Sequence, residues 1–143
     1  MTTTSVSTVL GEFRRPDEHG EFEGRLGEVV VFLDAHEEDA AIALADRVSR
    51  TIGDVAAFAR RIAAELADSF SPAGQDAVEV WENDESVVGA AEFARRIRLT
   101  CIAAAGDDDA IDLYFDDAGM FHGHSIRAWV DGAGTLVDAQ LAG

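Results

Sequence analysis

The sequence predicts an α+β protein: antiparallel sheet or sheets built from an N-terminal and a C-terminal meander, with a helical hairpin and a short third helix packed on one face. Three observations carry this. Apolar residues alternate with a period of two in 8–33 and again in 97–143. Between them, in 36–70, they recur at three and four, as on an amphipathic helix. Turn formers separate the strand runs by only a few residues, which favours antiparallel neighbours.

The N-terminal strands come first. Val9, Gly11 and Phe13 alternate with Leu10 and Glu12, and the run 16–20 (Pro-Asp-Glu-His-Gly) is rich in turn formers. Phe22, Gly24 and Leu26 share a face, Gly27-Glu28 turns the chain, and Val29 to Leu33 forms a continuous apolar run suited to a strand covered on both faces. This reads as a three-stranded meander, with residues 1–7 a flexible end.

The helical hairpin follows. Ala41, Leu44, Ala45, Val48 and Ile52 form one stripe, with Asp34 as its expected N-cap and Gly53 as its stop. Asp54 starts a second helix with the stripe Val55, Phe58, Ile62, Leu66 and Phe70. Pro72 and Gly74 end it. Residues 71–88 carry little readable pattern, and a short third helix spans 89–96.

In the C-terminal meander, Ile97, Leu99 and Cys101 alternate. Ile111, Leu113 and Phe115 share a face opposite Asp112 and Tyr114. His124, Ile126, Ala128 and Val130 share a face opposite Ser125, Arg127 and Trp129. The runs 116–119 and 131–134 read as hairpin turns. Val137, Ala139 and Leu141 close the chain. Whether the two meanders form one sheet or two is left open by this pattern.

The chain has 143 residues, 48% of them apolar, enough for a single domain over 1–143 with a real core. Eleven basic residues, all arginine, stand against 28 acidic ones, for a net charge of −17. Such a charge argues against nucleic acid and anionic membranes as partners, since both need clustered cations. The N-terminus has neither the basic nor the apolar region of a secretory signal, and no apolar run approaches the roughly 18 residues of a membrane span. A lone Cys101 in an apolar run reads as a buried inert thiol. The expected compartment is the cytoplasm.

Few motifs point to chemistry. His122 and His124 lie two apart, so on a strand they would face the same way, as metal ligands do. His19 and His36 add no ligand spacing to them, and no metal or other cofactor is expected. Asp107 to Asp109 lacks the alternating ligands of a calcium loop. There is no nucleophile elbow and no phosphate-binding glycine loop. If a site exists, its candidates are His124, Asp116, Ser125 and Tyr114, with His124 as base or anchor and the carboxylate orienting it. Trp81, Trp129, Tyr114 and Phe121 could alternatively supply a binding patch or pack within the fold.

The run from Leu113 to Ile126, an aspartate-rich hairpin ending in Gly123-His124-Ser125, resembles a bacterial domain of unknown function, family 2262. Leu10 to Phe13, Phe22 to Gly24, Glu92-Phe93 and the closing 138–143 are similar to it as well. An aromatic residue commonly precedes the glycine in that pattern. Here it is His122, so only His124 belongs to the motif. The resemblance implies one intact domain and no particular activity. The expected function is a non-enzymatic protein-binding module, of which an immunity-type protein blocking a basic partner is one version. The alternative is an enzyme or small-ligand domain with its site around His124 and Asp116. Either is compatible with a homodimer.

Overall fold

The computed structural model describes residues 4–15, 21–70, 94–106, 109–116 and 125–142. Four strands come first: β1 Thr4–Thr8, β2 Gly11–Arg15, β3 Phe22–Leu26 and β4 Val29–Asp34. Two helices follow, α1 Glu38–Ile52 and α2 Val55–Phe70. The chain then returns as β5 Arg98–Ala105, β6 Ile111–Asp116, β7 Ser125–Val130 and β8 Leu136–Ala142. No described helix is long and apolar enough to cross a membrane.

All eight strands form one sheet, in chain order from β1 to β8. Every neighbouring pair is antiparallel except β4 and β5, which are parallel over Val30 to Asp34 and Cys101 to Ala105. The connection explains the exception. A parallel neighbour needs a long crossover, and here α1 and α2 supply it.

One face of the sheet is dry. Val31 and Leu33, Ile102 and Ala104, Ile111, Leu113 and Phe115, and Ile126, Ala128 and Val130 are all buried on it. They join one core with Ala41, Leu44, Ala45 and Val48 of α1 and Phe58, Ile62 and Leu66 of α2. The period-three-and-four stripes therefore face the sheet as the sequence leads one to expect. Gly53 ends α1 at φ +61°, and Asp54 caps α2 by accepting the Ala57 N–H at 2.9 Å.

The helices are also tied to the sheet by polar contacts. Arg47 donates to the Ala105 carbonyl at 2.8 Å, Arg61 to the Gly134 carbonyl at 2.7 Å, and Thr51 to the Gly132 carbonyl at 3.1 Å. The last two land on the β7–β8 turn. Within that turn, Asp131 Oδ1 accepts the N–H groups of Ala133 and Thr135 at 2.9 and 3.0 Å.

Several elements differ from the expectation. Residues 4–7 are not a loose end, because Thr4 to Thr8 pairs along β2 as the edge strand. The 8–14 run is broken at Val9-Leu10, which form a tight turn. Thr8 Oγ1 accepts the Leu10 N–H and donates to the Gly11 carbonyl, and Val9 is left 62% exposed. The N-terminal unit thus has four strands, not three. Asp34 does not cap α1. It is still paired to Ala105 as the last residue of β4, and Glu37 occupies the cap position without a side-chain cap bond.

Two bulges shift the C-terminal strands. The register against β6 slips between Leu99 and Cys101, so Leu99 and Ile102 both point inward and Cys101 turns to the other face. The register against β7 slips between Trp129 and Val130, so Leu136 and Ala139 pack on the core while Val137 is 58% exposed. Of the expected third helix, residues 94–96 are helical and the rest lies outside the described residues.

Candidate functional site

The second face of the sheet has no described helix packed against it. Strand alternation and register decide what it shows. One row crosses six strands as Arg25, Val30, Cys101, Tyr114, Arg127 and Gln140. The next row runs Glu23, Phe32, Ala103, Asp112, Trp129 and Asp138. Phe32, Tyr114 and Trp129 are half-buried, flanked by neighbours in their own rows. Among the described residues, helices cover β4 on one face only, where the sequence leads one to expect cover on both. Val31 and Leu33 are buried, whereas Val30 and Phe32 lie on this open side.

Arg127 organises the middle of the surface. Its Nη2 donates to Asp112 Oδ2 at 3.0 Å, and its guanidinium sits 5.2 Å from the centroid of the Trp129 ring. The hydrogen bond that Arg127 donates to Asp112, then the charge of that carboxylate, raises the Arg127 pKa. Arg127 is thus held as a plate across the face, with Trp129 on one side and a carboxylate at its edge.

Cys101 lies on the same face, half-buried rather than sealed in the core. Burial, then the charges of Glu21, Asp112 and Glu23, push its pKa up to about 11. At neutral pH it is a protonated thiol, so the inert reading stands while its location changes.

The candidate site residues fall at one end of this face. Asp116 and Ser125 are register partners where β6 and β7 meet their connecting hairpin, and both are exposed. Tyr114 lies two residues along β6 on the same side, its carbonyl accepting the Thr100 hydroxyl at 3.1 Å. A shallow depression of about 260 Å³ holds Asp116 and Ser125 together with Glu28, Arg98, Leu99 and Thr100. His122 and His124 lie outside the described residues, as do Asp117, Phe121, Trp81 and His19. His36 is exposed at the start of α1, remote in the chain from the β6–β7 hairpin. Among the described residues, no group of three or more His, Cys, Asp or Glu side chains could hold a metal ion.

Some of this surface was missed from sequence. Phe32 sits in a continuous apolar run whose pattern does not say which positions face the helices. Tyr114 and Trp129 are legible in the sequence, since each lies on the side of its strand opposite a buried triplet.

An eight-stranded, mostly antiparallel sheet whose described helices lie on one side, with aromatic side chains on the other, defines an α+β protein. The chain belongs to the bacterial family DUF2262, described as an uncharacterized protein conserved in bacteria, whose model matches residues 7–141. No curated protein and no solved structure matches it.

Proposed function

We propose that the protein is a non-enzymatic protein-binding module acting in the cytoplasm, and that the sheet face carrying Tyr114, Arg127 and Trp129 is the binding surface. The supporting observation is the grouping of Phe32, Tyr114, Arg127 and Trp129 on neighbouring strands with no described helix over them. Aromatic residues and arginine are the side chains that most often dominate interface energy, and a rigid sheet presents them already ordered. Glu23, Asp112, Asp138 and the net charge of −17 suit a basic partner and speed its encounter. They disfavour nucleic acid and anionic membranes. An immunity-type protein masking a cationic toxin is the specific version this charge favours.

The test is capture of partners from a bacterial host, followed by binding measurements with each purified partner. Trp129→Ala should weaken the true complex by at least about 30-fold, the size of an interface hot spot. Added salt should slow association. Binding unchanged by Trp129→Ala and Tyr114→Ala would remove the open face from the proposal. A self-complementary use of the same face predicts a homodimer that these variants dissociate.

The second reading is a small-ligand or catalytic site at the β6–β7 end. It draws on Asp116 and Ser125 sharing one depression; His124 immediately precedes Ser125 in the sequence. Asp116→Asn and Ser125→Ala would abolish that function and leave partner binding through Trp129 intact.

A further inference from the structure

We propose that a second depression, between α2 and the start of β5, binds a linear amphipathic carboxylate: an acyl chain ending in COO⁻. It holds about 450 Å³, within the usual range for small-molecule sites. Its apolar lining comes from Ala59 and Ala63 of α2, from Ala94, Ile97 and Leu99 at the entry to β5, and from Phe115 of β6. The two alanines lie four apart, so they stack on one face of the helix and leave room that longer side chains would occupy. Their neighbours Phe58 and Ile62 fill the core instead.

Three arginines complete the lining: Arg60, Arg95 and Arg98, of which Arg98 also edges the depression that holds Glu28 and Asp116. All three are exposed, and none has a carboxylate partner among the described residues. No described acidic residue lines the depression, although the chain carries 28 of them. An apolar recess edged by three guanidinium groups is complementary to a ligand with the opposite charge at one end and hydrocarbon behind it. The planar fork of arginine matches a carboxylate in two parallel hydrogen bonds. A purely polar anion would leave the apolar lining unused, and a cationic amphiphile would meet repulsion at the edge.

The experiment is a titration of the full chain with hexanoate, octanoate and decanoate below their micellar concentrations, followed by calorimetry and amide NMR shifts. Affinity should rise about 4-fold for each added CH₂, the fold-change equivalent of burying one methylene. The shifts should centre on Ala59, Ala63 and Leu99. Decanol should bind at least about tenfold more weakly, decyltrimethylammonium should not bind, and inorganic phosphate should leave these shifts unmoved. Arg60→Gln combined with Arg98→Gln should weaken decanoate by tenfold or more with the circular dichroism spectrum unchanged. Ala63→Leu should block the recess. Trp129→Ala should leave decanoate binding as it was, which separates this site from the protein-binding face. Affinity independent of chain length, equal binding of decanol and decanoate, or shifts centred elsewhere would each overturn the proposal.

Discussion

The ring of Phe13 lies directly on the backbone of Gly24. Three of its carbons are 2.8 to 2.9 Å from the point where a Cβ at position 24 would stand. Phe13 belongs to β2 and Gly24 to β3, and both residues are buried. The glycine is therefore a matter of space: the first two hairpins can close over the core only because β3 has no side chain there.

Gly24→Ala should accordingly destabilise the fold by about 1–3 kcal/mol, the usual cost of forcing atoms into a packed core. Phe13 is 0% exposed, so its ring cannot swing aside into solvent without leaving the core. Urea unfolding at constant slope measures the difference. A midpoint equal to that of the parent chain would show that the ring relocates freely.

Gly134 raises a different problem at the other end of the sheet. Its φ is +83°, and a Cβ there would stand 3.0 Å from the Thr51 carbonyl oxygen. Gly134→Ala should cost at least about 1–2 kcal/mol from the backbone conformation, and it should also loosen the contacts of Thr51 and Arg61 with this turn. Hydrogen exchange should then quicken at the ends of α1 and α2 nearest the turn. Unchanged exchange there, with an unchanged melting temperature, would contradict the docking role.

Cys101 provides a pH test. Its thiol, ordinarily at 9.0, is raised to about 11 in the fold. Below pH 9 both folded and unfolded chains keep the proton. Between about 9 and 11 the unfolded chain releases it first, so stability falls as pH rises across that window. Cys101→Ala should remove this component of the loss. At pH 8 the native thiolate should be about 100-fold scarcer than in the unfolded chain, and alkylation should be slower in proportion. Equal alkylation rates with and without urea would refute it.

Much of the local structure is legible in the sequence. The stripes of α1 and α2 mark their buried faces because helical period and burial coincide at Leu44, Val48, Phe58 and Ile62. Ile111, Leu113 and Phe115, with Ile126, Ala128 and Val130, alternate cleanly because each strand has one dry face. The candidate site was legible only in part. Asp116, Ser125 and Tyr114 do share the end of one face, but the arginine-edged recess brings together Arg60 of α2 and Arg98 of β5, separated by the rest of α2 and the segment after it.

What the sequence by itself determined is the set of elements and most of their faces, since these depend on neighbours a few residues apart. Only the tertiary structure decided that both meanders join in a single sheet, that β4 and β5 run parallel, and that Arg127 and Trp129 share a face over which no described helix packs. Those outcomes rest on pairing between distant segments, which leaves no local period to read. The two bulges make the same point at the scale of one residue. A single extra residue reverses every side chain beyond it, and that reversal sets Cys101 beside Tyr114 and leaves Val137 in solvent.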